Sequence, residues 1–170
     1  IYFAGAVKQY AAFDRAPADI EAAHACLDDQ VPARDIFVAD ARHMSFAVDG
    51  AYDLILCGGG RIDEFTEDDR RRVLEEVRRV AKEGAWFCFS SRNLQSLKPG
   101  QGSGAVDLLR RLRRRLLMAA ANGHLARLCH QPSAMLVDED SGYRMPVYYS
   151  TPNAQVRALK ELGFHDIRVF

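Results

Sequence analysis

Short apolar runs alternate along the chain with longer segments in which apolar residues recur every three or four positions. Polar, glycine or proline residues bound the short runs, which is typical of strands. The runs at residues 52–57 and 85–89 are apolar enough to be buried on both faces of a sheet. The pattern predicts strands at residues 10–13, 35–39, 52–57, 85–89 and 167–170.

The longer segments carry helical spacing together with residues that start or stop helices. Pro17 opens the first helix, and Pro32 lies beyond its end. Thr66 is expected to cap the second helix, whose first turn holds three carboxylates that complement the helix dipole, and residues 82–84 are expected to end it. Thr151 is expected to cap the last helix. Helices are predicted at residues 17–27, 67–81, 106–121 and 152–162.

Residues 95–150 interrupt this alternation. Gly, Ser and Pro are frequent at residues 95–105, which predicts a loop before the third helix. Beyond that helix, residues 131–149 have little periodicity, and we expect a short hairpin there. Its strands are placed at residues 136–137 and 147–149, with the turn near residues 138–142.

Alternating strands and helices predict an α/β fold with a mostly parallel, doubly wound sheet flanked by helices. A length of 170 residues suits one such domain. We therefore expect a single domain over residues 1–170 that is incomplete at both ends, with residues 95–150 as an inserted helical and hairpin cap.

Composition narrows the function classes. The 23 basic and 23 acidic residues balance, so the chain has no general attraction to nucleic acid or membranes. The four cysteines form no C-x-x-C pair, which argues against a zinc site and favours reduced thiols in the cytosol. No apolar stretch is long enough to span a bilayer.

Two successive strands are each followed by an aspartate, Asp14 and Asp40. Ligands of open α/β sheets bind outside the carboxyl ends of the strands, so both side chains are candidates for binding. One carboxylate can accept from two ribose hydroxyls and another from an exocyclic amine, which suits an adenosine. The alternative is that an aspartate in this position only forms a turn or caps a helix.

Several segments together resemble class I S-adenosylmethionine-dependent methyltransferases. Residues 38–46 read VADARHMSF, which resembles the family's G-D-A-R-D-L-P-F after its third strand. Residues 52–57 read YDLILC, which resembles F-D-L-V-L-C in its fourth strand. The other segments that carry the resemblance are residues 13–23, 75–84 and 148–164.

This resemblance implies a Rossmann-like methyltransferase with S-adenosylmethionine as cofactor and a small-molecule acceptor. Asp14, with Arg15 beside it, would hold the ribose, and Asp40 with the Ala41 backbone would hold the adenine. The resemblance assigns no catalytic base and no metal. Residues implied toward the methionine and acceptor side are Cys57 and Gly58, and acceptor contacts are expected from Arg61 and Tyr148.

The chain departs from the family pattern at its start. The glycine-rich first motif should lie roughly twenty residues before Asp14, and the preceding residues do not form it. The chain as given is therefore expected to bind cofactor poorly. Residues 54–61 could themselves be read as that motif, but the strand after them ends in serine rather than an acidic residue, which favours the fourth-strand interpretation.

An arginine-rich segment at residues 110–115 supports a rival interpretation, in which the protein is an RNA or protein methyltransferase. Leucines at helical spacing make the same segment an amphipathic helix with a solvated face, and the zero net charge disfavours nucleic acid. A second rival is a non-catalytic methyltransferase homologue that serves as a partner subunit. The sequence also leaves a homodimer open.

Overall fold

A computed structural model describes residues 7–26, 34–97, 105–139 and 145–170. The chain divides into two compact units, a first unit at Ile1–Val48 and a second unit at Asp49–Phe170. The described strands form three two-stranded sheets, of which two are parallel and one is antiparallel. The expectation of a single domain with a cap at residues 95–150 stays a prediction.

The first unit contains one β-α-β segment: β1 is Tyr10–Asp14, α1 is Pro17–Cys26 and β2 is Arg34–Val38. β1 and β2 are parallel, with Asp14 opposite Val38 in the register. The predicted helix start at Pro17 is confirmed, and Ile20 is the residue that α1 buries. Leu27 and Pro32, which were predicted to end and follow this helix, lie outside the described residues.

The second unit opens with another β-α-β segment: β3 is Tyr52–Cys57, α2 is Glu67–Val80 and β4 is Ala81–Phe89. β3 and β4 are parallel. The predicted cap is confirmed, because the hydroxyl of Thr66 accepts from the Asp69 backbone N–H at 3.3 Å. The apolar stripe of α2 is buried and consists of Val73, Leu74, Val77 and Val80.

The rest of the second unit is a helix pair, a hairpin and a final helix. α3 is Ala105–Asn122, α4 is Leu125–Leu128, β5 is Ser133–Val137, β6 is Pro146–Ser150 and α5 is Pro152–Glu161. β5 and β6 are antiparallel, so the predicted hairpin is confirmed with longer strands. Thr151 caps α5 as predicted, accepting from the Ala154 N–H at 3.2 Å.

One apolar core holds the helix pair and the hairpin together. Leu94 and Leu97 lie on a short 3₁₀ helix, Leu94–Leu97, where the sequence predicted only a loop. They are buried because they pack with side chains from α3, α4 and the hairpin, and burial of apolar surface fixes the turn. The other members of this core are Met118, Leu125, Cys129, Leu136, Val147 and Tyr149. Residues 98–104 and the hairpin turn at residues 140–144 lie outside the described part of the chain.

Two predicted boundaries are wrong. Residues 82–84 do not end α2, since the helix ends at Val80 and β4 begins at once with Ala81. Ala81 pairs with Tyr52, and the register shifts before Leu54, so the irregularity in this pair absorbs the polar residues that suggested a turn. Residues 167–170 form no strand, because no strand within the described residues pairs with them.

Candidate functional site

Asp14 is the last residue of β1, and its carboxylate accepts a hydrogen bond from the backbone two residues further along the chain. Oδ1 accepts from the Ala16 N–H at 2.9 Å, and the Asp14 carbonyl accepts from the Ala39 N–H at 3.0 Å. The turn-forming role that the sequence left open is therefore present. Within the described residues, no hydrogen bond reaches Oδ2, so the side chain keeps acceptor capacity for a ligand. Arg15 beside it is exposed.

Asp40 follows β2 by two residues and is held by Arg42. Oδ1 accepts from the Arg42 N–H at 2.9 Å, and the guanidinium closes on both oxygens, with Nη2 at 2.6 Å from Oδ2. These hydrogen bonds from Arg42 outweigh the effect of burial and lower the pKa of Asp40 below its ordinary value. The carboxylate is 32% exposed, so a solvent molecule or ligand can still reach it.

The two aspartates lie at one edge of one sheet. β1 and β2 run parallel, and the carboxyl ends of parallel strands meet at the same edge. The bond from Ala39 to the Asp14 carbonyl ties the residue after β2 directly to the end of β1. Ala41, half-buried in the turn that follows, completes this group of candidate residues in the first unit.

In the second unit, Cys57 is the last residue of β3 and Gly58 follows it directly. The Cys57 carbonyl accepts from the Ser90 N–H at 3.2 Å, which ties the ends of β3 and β4 together. Burial raises the pKa of the Cys57 thiol, so the thiol stays protonated at neutral pH. Space around Gly58 is open, since a Cβ there would have no atom within 4 Å.

Arg61 and Tyr148 occupy different environments. Arg61 begins a 3₁₀ helix, Arg61–Glu64, and its exposed guanidinium pairs with Glu64 at 2.9 Å. Tyr148 is buried on β6, and the Arg70 guanidinium lies 4.9 Å from the centre of its ring. That contact gives Tyr148 a packing role in addition to any contact with an acceptor.

The second unit also contains a buried group of charges that the sequence analysis missed. Asp63 is 0% exposed, and its Oδ1 accepts from Arg70 Nη1 at 2.6 Å and from the Ser91 hydroxyl at 2.7 Å. Its Oδ2 accepts from the Arg92 backbone N–H at 2.6 Å. Asp63 thus joins the segment after β3 to the segment after β4.

The group extends into the hairpin through Arg92. Its Nε donates to Oδ2 of Asp138 at 3.0 Å, and the same oxygen accepts from the Tyr149 hydroxyl at 2.8 Å. Asp138 is also 0% exposed. Burial lowers the pKa of Arg92, but Asp138, Tyr149 and Asp63 raise it by more, so Arg92 stays charged. Two buried carboxylates and two arginines form this charge cluster, whose members are Asp63, Arg70, Arg92 and Asp138.

Arg70 offered a signal that sequence analysis could have used. It lies three, four and seven residues before Val73, Leu74 and Val77, and so belongs to the apolar stripe of α2. An arginine on a buried helix face needs a carboxylate partner. No comparable signal marks Asp138, whose partner Arg92 is 46 residues away.

In the part of the chain that the structure describes, no group of three or more His, Cys, Asp or Glu side chains could hold a metal ion. None of the helices there combines the length and the apolar character that crossing a bilayer requires.

Residues 1–84 of the 170, just under half of the chain, match a family model described as a methyltransferase domain. No curated protein matches the chain.

Solved structures resemble it over most of its length. An S-adenosylmethionine-dependent methyltransferase from Methanosarcina mazei matches with a TM-score of 0.60 and 17% identity, over 92% of this chain and 69% of its own. One from Mesorhizobium loti has a TM-score of 0.55 and 16% identity, over 91% and 62%. The glycopeptide N-methyltransferase MtfA, complexed with S-adenosylmethionine, has a TM-score of 0.56 and 16% identity, over 98% and 76%.

These matches show that the fold is the Rossmann-like methyltransferase fold, as the sequence predicted. The chain spans 69% of the Methanosarcina mazei protein and only 56% of a further match from Bacillus halodurans.

Proposed function

We propose that this chain, whose residues 1–84 match a methyltransferase-domain family model and which has the Rossmann-like fold of class I methyltransferases, takes part in methyl transfer from S-adenosylmethionine. The acceptor in this proposal is a small molecule. The observation that carries the proposal is the pair of carboxylates, Asp14 and Asp40, that the parallel β1 and β2 bring to one sheet edge.

The first unit suits an adenosyl group. Asp14 would accept from the ribose hydroxyls through the oxygen that its turn does not use. Asp40 would accept from the adenine amino group, beside the Ala41 backbone. The adenine amino group would replace one of the hydrogen bonds from Arg42 to Asp40. This replacement costs little free energy, because the Asp40–Arg42 pair is partly exposed.

Cys57 and Gly58 are proposed to contact the methionine end of the cofactor. The open space at Gly58 leaves the backbone accessible there, and the protonated Cys57 thiol adds no negative charge. Arg15 would support the ribose, while Arg61 and Tyr148 would contact the acceptor. These roles follow from the resemblance in sequence.

The proposed reaction needs the protein mainly to align the acceptor with the methyl group of the cofactor. A lone pair on the acceptor forms a bond to the sulfonium methyl carbon as the carbon–sulfur bond breaks, and that electron pair stays on sulfur. The cofactor carries the activation, so the chain supplies orientation and a dry pocket. Any proton on the acceptor leaves to a base or to water.

Calorimetry with S-adenosylhomocysteine on the full-length protein tests the proposal. We expect Asp14→Asn, which keeps the acceptor for Ala16 but removes the charge, to weaken binding by about 1–3 kcal/mol, as for a lost charged hydrogen bond. Asp53→Asn is the matched control, because Asp53 is an exposed carboxylate paired with Lys82. Unchanged affinity in Asp14→Asn would contradict the ribose role.

Two finer points belong to the same proposal. The small-molecule acceptor rests on the zero net charge, and salt-dependent RNA binding by the protein would argue for the rival acceptor instead. A cytosolic location rests on the four cysteines, which form no C-x-x-C pair and are interpreted as reduced thiols.

A further inference from the structure

We infer that Ser90 and Arg92 are positioning residues that clamp the glycine loop, residues 58–60, against the charge cluster. The inference rests on the proposed function, in which this loop contacts the amino-acid end of the cofactor. It extends that function by naming residues of the β4 side and the hairpin that fix the loop.

The clamp holds Gly60 from two sides. The Gly60 N–H donates to the Ser90 hydroxyl at 2.9 Å, and the Gly60 carbonyl accepts from Arg92 Nη1 at 3.4 Å. Gly60 has φ of +69°, and a Cβ there would lie 3.0 Å from Arg92 Nη1. Only glycine combines this left-handed backbone with so close a guanidinium.

Arg92 is itself fixed at both ends. Its backbone N–H donates to Asp63, and its side chain donates to Asp138 in the hairpin. Asp138 is held in turn by the Tyr149 hydroxyl. The position of Arg92, and with it the Gly60 carbonyl, therefore depends on the segment after β3 and on the hairpin together.

Stability alone does not account for this arrangement. Apolar side chains of similar volume commonly stabilise a core as well as a buried ion pair does. The charge cluster adds a fixed orientation of Arg92. Its guanidinium donates through Nε to Asp138 and through Nη1 to the Gly60 carbonyl. A loop held in this way presents the same backbone groups to the cofactor in every molecule.

The test compares two probes on the full-length protein: S-adenosylhomocysteine, and 5′-methylthioadenosine, which lacks the amino-acid end. Ser90→Ala removes the acceptor of the Gly60 N–H at an exposed position. The double variant Arg92→Leu with Asp138→Leu removes the second contact without leaving a buried charge unpaired. We expect each protein to bind S-adenosylhomocysteine about three- to tenfold more weakly, and 5′-methylthioadenosine as the wild type does.

Arg79→Gln is the control, since Arg79 is also an arginine held by two carboxylates, Asp49 and Glu76. It lies in the last turn of α2, at the other end of that helix from the loop. The inference is overturned if Ser90→Ala keeps wild-type affinity for S-adenosylhomocysteine, or if it weakens both probes equally. A wild-type protein that binds neither probe would instead count against the proposed function.

Discussion

Asp40 in the first unit and Asp63 in the second unit are both carboxylates paired with arginine, and they differ in how far away their partners lie. Within the described residues, every hydrogen bond to the Asp40 carboxylate comes from Arg42, two residues along the chain. Asp63 accepts from residues 7, 28 and 29 positions away. One carboxylate is organised locally and the other by the tertiary fold.

The two carboxylates also differ in their exposure to solvent. Asp40 is 32% exposed and Asp63 is 0% exposed. A carboxylate held by its own turn can exchange partners with a ligand at small cost, whereas removing a partner from the buried one leaves a charge without solvation. The contrast supports the binding role proposed for Asp40, and it indicates that the charge cluster holds the segments after β3 and β4 and the hairpin together.

Removing the charge of Asp63 is expected to have the largest effect on the stability of the charge cluster. In Asp63→Asn the buried guanidinium of Arg70 loses its ionic partner, and we expect the free energy of unfolding to fall by about 3–5 kcal/mol. Urea denaturation measures the change. Asp53→Asn, at an exposed pair with Lys82, should cost less than about 1 kcal/mol; equal losses in the two variants would refute the contrast.

Tyr149→Phe probes the cluster more gently. The substitution keeps the ring in the apolar core and removes only the hydroxyl that donates to Asp138. We expect a loss of about 1–3 kcal/mol, since the acceptor is charged and buried. Thermal or urea unfolding would show it. A loss below about 0.5 kcal/mol, the usual range for surface substitutions, would mean that Asp138 is satisfied without the tyrosine.

Arg42→Gln should have the smallest effect, at most about 1 kcal/mol at neutral pH, because the pair is partly exposed. The folded-state pKa of Asp40 lies below its ordinary value of 3.8, so the pair stabilises the protein above that pH. The contribution is lost as pH falls through the lowered pKa, and the variant should then match the wild type.

Carboxyl NMR titration checks this directly: the pKa of Asp40 should rise toward its ordinary value in Arg42→Gln. An Asp40 pKa that does not move would show that Arg42 is not its main partner.

Periodicity predicted the fold well where an element forms by itself. The spacing of Val73, Leu74 and Val77 on α2 and the caps at Thr66 and Thr151 are local signals, and the structure confirms them. The start of β4 and the absence of a strand at residues 167–170 depend on which strand lies alongside. Pairing of that kind is a tertiary property, so the sequence pattern could not decide it.

The candidate site divides in the same way. Asp14 and Asp40 could be proposed from sequence because a strand end marks each of them, and the structure brings them to one edge. The family resemblance implies an acceptor contact for Tyr148, and that contact stays a prediction beside the packing contact with Arg70. The position of Arg70 on the buried stripe of α2 indicates that some carboxylate must pair with it, but only the folded chain shows that this is Asp63. Nothing in the sequence marks Asp138, whose partner Arg92 is 46 residues away.

The direct junction of α2 with β4 has a consequence for changes in chain length. Val80 is the last helical residue and Ala81 the first of the strand, so no linker separates them. One extra residue on the helical side would rotate the Val73 stripe by roughly 100°. Insertions and deletions should therefore be excluded from the helical side of this crossover, and a reporter peptide placed there should prevent folding.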